Sequence, residues 1–409
     1  MIHTIQIPKP RFIALLCLLL AAALLLPSCL AVSAAELSKD YDRKETDPGE
    51  IAADFPDVYR RFAFTLFDGL GEEEKLISPL SAMLCLGMIE NGMSGETLAG
   101  TEKMFGIDVN TMNRSLYALV NSLYTEKDCH FSSANSLWCR SSHSDPLPAF
   151  LQINADWYGA EVYRAAFDDS TLKDVNKWAE KKTDGMIKEL PIEFSADDVM
   201  LLMNAVCFDA KWETVYENDQ VRENRTFTTA DGGTKTVTML SSGEGTWMEN
   251  DRFVGFAKPY CGNGWSFAAF LPKEGYSLSD MDAESFAELL AGKTNASVSV
   301  LLPEFTADYH FNFTETLKAA GMEKAFSPDA DFSAMYDDGA CLRTVEQNTF
   351  IDVSRNGTKA AAVTWGLVDA ECEVICNKEI ILDRPFVYAI VDNGTGLPVF
   401  LGTVTGENF

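Results

Sequence analysis

Histidines are few in this chain and lie far apart, and no short catalytic motif accompanies them. Beyond the first 35 residues the only histidines are His130, His143 and His310, and none stands beside a nucleophile motif. The GxSxG, HExxH and GxxxxGKS/T patterns are absent from the sequence. The residues of a catalytic triad can be distant in sequence, so these absences make an enzyme less expected without excluding one. We expect no enzymatic activity, cofactor or metal, and structural or surface roles for the histidines.

Cysteine spacing indicates neither a zinc site nor a thioredoxin-like motif, because no CxxC pair occurs. Cys85 and Cys207 lie in apolar runs, a position typical of buried free thiols. Cys372 and Cys376 enclose the short sequence CEVIC. They are either incidental thiols, which we favour, or a disulfide that constrains a loop in an oxidising compartment.

The chain is strongly acidic. It contains 61 acidic and 33 basic residues, which gives a net charge of −28. Binding to a phosphate backbone needs clustered Lys and Arg, so nucleic acid is not an expected partner. The acidity indicates a soluble surface, and attraction of a cationic protein partner is the alternative interpretation.

The N-terminal sequence predicts export. Lys9 and Arg11 precede an apolar run from Phe12 to Leu26, and small residues follow it. We therefore assign residues 1–35 to an export signal peptide. No later stretch is long and apolar enough to span a bilayer.

Two processing alternatives remain open for this signal. Cleavage after Ala34 or Ala35 would release the protein, whereas lipidation at Cys29, in the lipobox-like sequence LPSC, would tether it. The polar, charged residues 36–50 are predicted to form a tether without structure of its own. Both alternatives predict an exported bacterial protein, either extracellular or lipid-anchored at the cell surface.

Residues 51–409 are predicted to form a single domain. PLSAMLCLGMIENGM is apolar on every side, which predicts a buried helix, and Ser78 before Pro79 suits its N-cap and first turn. STLKDVNKWAEKKTDGMIKEL predicts an amphipathic helix that breaks at Gly185 before a second short apolar element. PFVYAIVDNGTGLPVFLGTV predicts a hairpin. Helices dominate the first half and strands the second, so the predicted class is α+β.

Eight motifs follow one another along this domain: SPLSAMLCLGMIENGMSGET, NSLW, DVNKWAEKKTDGMIKEL, LMNAVCFDAKW, LPEFTADYHFNFTETLKAAGMEKAF, ADFSAM, TFIDVSRNGTKAAAVT and DRPFVYAIVDNGTGLPVFLG. Each is only weakly specific by itself. In this order, from about Phe62 to Val404, they resemble the serpins, a family of serine protease inhibitors. The resemblance implies a fold of helices around three β-sheets, with an exposed reactive loop near the C-terminus.

The function that the resemblance implies is suicide inhibition. In this family the protease cleaves the reactive loop, and the N-terminal part of the loop inserts as a new strand into the central sheet. The attached protease is displaced with a distorted active site and cannot complete deacylation. The loop would span about residues 357–376. The residues that match its hinge are Gly357, Thr358, Ala360, Ala361 and Ala362.

The sequence of this loop suits insertion on physical grounds. Side chains of an inserted strand alternate between its faces, and one set must fit a core that is already packed. One alternate set has only small or modest residues: Thr358, Ala360, Ala362, Thr364, Gly366, Val368 and Ala370. The other set, from Lys359 to Asp369, carries the charge and bulk and is expected to face outward. An inert surface loop has no reason to show this period of two.

The resemblance also assigns gating roles to four residues. Ser78, Ser81 and Asn204 match a polar cluster beneath the opening sheet, and Trp212 matches an aromatic residue at the point of first insertion. Each also has a plain structural interpretation, as a capping serine, a satisfied core amide or a core aromatic residue.

Four positions depart from the family pattern. Arg355 and Asn356 replace acidic residues before the hinge, Lys359 stands where Glu is common, and Gln347 replaces a histidine. None adds bulk to an inward-facing position, so we expect them to affect the rate of insertion rather than insertion itself.

The scissile bond has two candidate positions. Counting forward from the hinge places it between Glu371 and Cys372, which we prefer because the sheet constrains the length of the inserted strand. Counting back from Arg384 places it nearer Val374 and Ile375. Glu371 suits a glutamyl-specific protease with a basic pocket, whereas Cys372 or Val374 suits an elastase-like pocket.

The sequence therefore predicts a monomeric, non-enzymatic inhibitor of serine proteases that meets a membrane only through an N-terminal lipid. The alternative is a non-inhibitory serpin that acts as a binding or structural protein at the surface. Small alternate residues favour the first interpretation, and the reversed charges at the hinge mildly favour the second.

Overall fold

The computed structural model describes residues 32–38, 41, 43, 49–71, 74–358, 377–407 and 409. The predicted signal before residue 32, much of the tether and residues 359–376 of the predicted loop lie outside this description. No helix in the described ranges is both long and apolar enough to cross a bilayer.

Helices occupy mainly the first half of the described chain. They are α1 (Phe55–Asp68), α2 (Pro79–Glu90), α3 (Gly95–Phe105), α4 (Val109–Ser122), α5 (Pro148–Tyr158), α6 (Asp169–Lys182), α7 (Ala283–Ala291) and α8 (Thr314–Leu317). Short 3-10 or π turns occur at Asn218–Gln220, Leu278–Asp280, Lys318–Met322 and Glu323–Phe326.

Strands dominate the second half, which confirms the predicted α+β class. They are β1 (Ala35–Glu36), β2 (Leu76–Ile77), β3 (Cys129–Arg140), β4 (Glu161–Ala165), β5 (Met200–Lys211), β6 (Val221–Thr228), β7 (Thr234–Glu249), β8 (Phe253–Pro259), β9 (Trp265–Pro272), β10 (Thr294–Pro303), β11 (Phe305–Asn312), β12 (Glu346–Ser354), β13 (Gly357–Thr358), β14 (Lys378–Ile381), β15 (Phe386–Asp392) and β16 (Pro398–Val404).

Local signals in the sequence form the predicted elements. Ser78 caps α2, because its hydroxyl accepts the amide N–H of Ser81 at 3.3 Å, and Pro79 opens the first turn. α2 is buried on nearly every side, as its apolar sequence predicts. The C-terminal hairpin forms as antiparallel β15 and β16. Cys207 is a buried cysteine outside any disulfide of the described residues, and Cys85 is a half-buried one.

The described strands make two sheets where three were expected. One has seven strands in the order β1-β4-β3-β5-β13-β12-β11, and the other has nine in the order β14-β10-β7-β8-β9-β15-β16-β2, with β6 beside β7. The reason is the length of β7. This single strand of 16 residues pairs with β6 and β10 along much of its length and with β8 at its end, so two sheets become continuous.

Apolar side chains from both sheets and from α1 and α2 form the larger core cluster. A smaller cluster lies under α6, where Trp178 and Val175 pack on Trp138 of β3 and Tyr163 of β4. After α6 the chain breaks at Gly185, which has φ of 78°. The predicted second apolar element forms neither helix nor strand; Ile187 and Leu190 pack against the smaller cluster in an irregular segment.

The described N-terminal residues are docked on the domain. β1 pairs antiparallel with β4, and the amide of Leu37 donates to the carbonyl oxygen of Val162 at 2.7 Å. Ser33 and Ala34 donate to the buried carboxylate of Asp174 on α6 at 2.6 and 2.8 Å. The described start of the predicted tether is therefore packed on the domain, because it bonds to β4 and follows residues bonded to Asp174.

Candidate functional site

The described strands β5 and β12 lie close together in the seven-stranded sheet without pairing to each other, and we call this unpaired seam the gap. These two strands run parallel, since both are antiparallel to β13. In the described part of the chain no strand pairing joins β5 directly to β12, and the two residues of β13 are the ones that pair with both. We call the end of the gap at Gly357 its upper end and the end at Glu346, the first residue of β12, its lower end.

The two residues of β13 are the first residues of the predicted hinge. Gly357 has φ of 150°, and a Cβ atom there would lie 2.1 Å from the carbonyl oxygen of Ala210. Thr358 is 1% exposed and its hydroxyl contacts the hydroxyl of Tyr260 at 2.5 Å. Thr358 therefore faces inward, as the alternating pattern requires of it.

Trp212 and Tyr260 form an aromatic support beneath this hinge. Their rings stack with centroids 4.5 Å apart and an interplanar angle of 14°. The Trp212 indole N–H donates to the carbonyl oxygen of Ser354 at 2.8 Å. The backbone amide of Trp212 donates to the carbonyl oxygen of Asn356 at 3.1 Å. Burial raises the pKa of Tyr260 well above its ordinary value, so its hydroxyl stays protonated. The support ties the end of β5 to the segment that leads into the loop.

The reversed charge at Arg355 has a partner. Its guanidinium meets the Glu304 carboxylate through two contacts, at 3.2 and 3.1 Å, and its amide donates to the same carboxylate at 3.0 Å. The hydrogen bonds and charge of Glu304 raise the pKa of Arg355. The charge of Arg355 is therefore matched by Glu304, whereas Lys359, the other basic departure at the hinge, lies outside the described residues.

The predicted polar cluster lies beneath the middle of the gap. Ser78, Ser81, Asn204 and Thr349 line a small cavity of about 20 Å³ there. The Asn204 amide nitrogen donates to the Ser133 hydroxyl at 3.0 Å, but its Oδ1 is buried without a partner, as is Oγ1 of Thr349. Unsatisfied buried polar atoms are rare and costly. Both residues line the cavity between β5 and β12.

Gln347, another of the four departures from the family pattern, connects β12 to α2. Its side-chain oxygen accepts the Ser78 amide at 2.8 Å, and its side-chain nitrogen donates to the Ser78 carbonyl oxygen at 2.9 Å. The amide thus makes two hydrogen bonds to the backbone of the helix cap. It couples the position of β12 to the polar cluster.

The structure brings Gly357, Thr358, Trp212, Asn204, Ser78 and Ser81 together around one gap. The remaining predicted residues lie outside the described residues: Ala360, Ala361, Ala362, Glu371, Cys372, Val374, Ile375 and Cys376. Sequence reasoning missed Tyr260 and Glu304 as partners of the hinge. One weak signal could have indicated Glu304, because the unusual basic residue Arg355 favours an acidic partner nearby. The described residues contain no cluster of ligands suited to a metal ion.

Comparison with known proteins gives a consistent result. A family model described as serpin (serine protease inhibitor) matches residues 57–406. The chain is 28% identical to human neuroserpin over 384 residues, which covers 88% of this chain and 92% of neuroserpin. It is 27% identical to a serpin-like protein of Thermococcus kodakarensis over 356 residues, covering 83% of each.

Solved structures agree. The native state of the thermophilic serpin tengpin superposes with a TM-score of 0.86 at 39% identity, covering 92% of this chain and all of tengpin. The latent state of tengpin gives a TM-score of 0.76 at 38% identity, covering 89% of this chain and 99% of tengpin.

Proposed function

The chain belongs to the serpin family, and from this we propose that it inhibits serine proteases by covalent trapping. The gap between β5 and β12 is the single observation that carries this proposal. β13 runs antiparallel to both strands, so the step from Gly357 to Thr358 leads from the upper end of the gap towards its lower end. Two buried polar atoms without partners line the path, and the small alternate residues of the loop suit it.

The register indicates how far the loop would reach. Thr358 lies opposite Ala210 and Val353, so counting on along both strands places Val368 opposite Met200, at the lower end of β5. The inward set down to this point contains only the small or modest residues named above. A strand of that length fills the gap and ends shortly before Glu371.

The chemistry belongs to the attacking protease. Its serine oxygen adds to the carbonyl carbon of the bait residue, the peptide bond breaks, and the following residue leaves as an amine that takes the proton. The bait carbonyl remains as an ester on the protease. Insertion of the loop then displaces the protease before water completes hydrolysis, and the energy comes from a native state held short of its most stable form.

The proposed bait bond is Glu371–Cys372, with Val374–Ile375 as the alternative. The target is accordingly a glutamyl-specific or an elastase-like serine protease. The non-inhibitory alternative drew its support from the reversed hinge charges. The pairing of Arg355 with Glu304 weakens that support, while Lys359 lies outside the described residues. The higher TM-score with the native state than with the latent state of tengpin supports the proposed inhibitory function.

We also propose that the protein is exported and held at the cell surface through Cys29. The Asp174 carboxylate accepts hydrogen bonds from the Ser33 hydroxyl and the Ala34 amide, which hold the N-terminal segment on α6. Their docking supports processing ahead of residue 32 over cleavage after Ala34 or Ala35. Mass spectrometry of the mature N-terminus tests this, and a terminus at Ala35 or Glu36 would contradict it.

Incubation with a panel of proteases tests the inhibitory function. Glutamyl-specific, elastase-, trypsin-, chymotrypsin- and subtilisin-type enzymes are mixed with the mature protein and analysed by denaturing gels and intact mass. We expect an adduct at the summed mass that survives denaturation, and a released peptide that begins at or near Cys372. Cleavage within residues 359–376 without any adduct would overturn the proposal.

A further inference from the structure

A side-chain contact closes the lower end of the gap. Arg343 precedes β12, and Asp198 precedes β5. Arg343 Nε lies 2.8 Å from Asp198 Oδ1, and a terminal guanidinium nitrogen donates to the carbonyl oxygen of Glu193 at 2.9 Å. We call this contact of Arg343 with Asp198 and Glu193 the lower latch. It bridges the two strands at the end of the gap opposite Gly357.

The anionic half of the latch is fixed to the β5 side. Asp198 is 12% exposed in its side chain, and its second carboxylate oxygen accepts the Ser195 amide at 2.7 Å. Arg140, the last residue of β3, donates to the carbonyl oxygens of Asp198 and Ser195. The Arg140 amide also donates to the carbonyl oxygen of Val199 at 2.9 Å. Asp198 is thus held in place before Arg343 reaches it from the β12 side.

Full insertion of a strand must disturb this contact. Neighbouring strands lie about 4.7–4.9 Å apart, so a new strand between β5 and β12 moves their ends apart by about that distance. A charge-assisted contact at 2.8 Å does not survive such a movement without rearrangement. The register that places Val368 opposite Met200 brings the inserted strand to the level of the latch only in its last residues.

We propose that Arg343 is a positioning residue that holds the lower end of the gap closed and limits the last step of loop insertion. This inference rests on the proposed inhibitory function. Opening of the upper part of the gap leaves the latch intact, whereas the final residues of the inserted strand require its release. The latch therefore sets the rate at which insertion completes while the protease can still deacylate.

Two synthetic peptides that replicate the loop test the latch without any protease. The long peptide has the sequence of residues 359–370, and the short one has that of residues 359–364. Their annealing to the intact protein is followed by the fluorescence of a terminal label. We expect Arg343→Gln to accelerate annealing of the long peptide about two- to fivefold, the range that a partly exposed ion pair supports, and to leave the short peptide unchanged.

Arg252→Gln is the matched control. Like Arg343, Arg252 pairs with an aspartate, and its contacts with Asp282 are 3.0 and 3.3 Å, but the pair lies at the other sheet and away from the gap. The Arg252→Gln variant should anneal both peptides at the rates of the wild-type protein. Asp198→Asn is the second variant, to be used if Arg343→Gln does not fold, and should also accelerate the long peptide.

Equal rates for the latch variants and Arg252→Gln would overturn the latch while leaving the inhibitory function in place. Failure of the wild-type protein to anneal the long peptide at all would overturn both. Equal acceleration of the two peptides would also contradict the latch, because the effect would then not be confined to the lower end.

Discussion

Glu90 is a buried carboxyl group at the end of α2. It is 1% exposed, and neither carboxylate oxygen has a hydrogen-bond partner. Burial, with smaller contributions from Glu102 and Asp108, raises its pKa from 4.5 to about 8. The folded protein therefore holds a proton on Glu90 that the unfolded chain loses near pH 4.5.

This shift predicts the sign of a pH dependence. Because the folded pKa is raised, the stability associated with protonated Glu90 is present below pH 4.5 and is lost as the pH rises towards about 8. Glu90→Gln should remove this loss. The free energy of unfolding of the variant should exceed that of the wild type by a difference that grows by up to about 1.4 kcal/mol per pH unit in that interval. Thermal unfolding at pH 5 and pH 8 measures it.

Glu96→Gln on α3 is the control, because it makes the same change of residue type at an exposed position. A gain for Glu90→Gln that is equal at both pH values would contradict the raised pKa.

The pair of Arg355 and Glu304 predicts a charge-swap result. Arg355→Glu places two carboxylates where a pair now lies at 3.1 Å, and should lower the thermal midpoint. Both side chains are partly exposed, so the expected loss is about 1 kcal/mol or less. The double variant Arg355→Glu with Glu304→Arg should recover most of the loss in a double-mutant cycle. Additive losses would show that the pair does not hold the hinge.

Residue types alone could predict some of this site. The N-cap at Ser78 follows from Ser before Pro, and Trp212 and Asn204 follow from the family motifs. Tyr260 and Glu304 could not be predicted as partners of the hinge, because Tyr260 lies 98 residues before Thr358 and Glu304 lies 51 residues before Arg355. Only the packed sheet brings them together.

At the scale of elements, β13 has the most direct consequence for function. Thr358 is buried between β5 and β12, where a long charged side chain has no room. Thr358→Arg should block insertion, so that the loop is still cleaved but the yield of covalent adduct falls at least about tenfold. Densitometry of denaturing gels after reaction with the inhibited protease measures the yield.

Lys359→Glu is the control for this variant, because the alternating pattern predicts that Lys359 faces outward. It should retain the adduct. An undiminished adduct with Thr358→Arg, or equal loss in both variants, would contradict the alternation.

Elements with strong local signals were predictable, and those that depend on distant contacts were not. The apolar sequence of α2 and the turn between β15 and β16 determine their own structures locally. The union of two sheets through β7 depends on how three neighbouring strands pair with it. Docking of β1 depends likewise on β4 and Asp174, which a polar sequence does not reveal.

The charge of the whole molecule predicts selectivity in the encounter with proteases. A net charge of −28 attracts cationic proteases over a distance that salt shortens to about 10 Å at 0.1 M. For a cationic target we expect the second-order rate of inhibition to fall about tenfold between 0.05 and 0.5 M salt. An anionic protease of the same specificity should show no fall. Equal salt dependence for both would exclude electrostatic steering.

The proposed mechanism requires the cleaved loop to become a strand between β5 and β12. The thermal midpoint of the intact protein, compared with that of the protein cleaved once within residues 359–376, tests it most directly. Insertion adds hydrogen bonds along both strands and satisfies the polar atoms of the gap, so we predict a large rise in the midpoint after cleavage. An unchanged or lower midpoint would show that the gap does not accept the loop, and would contradict the proposed mechanism.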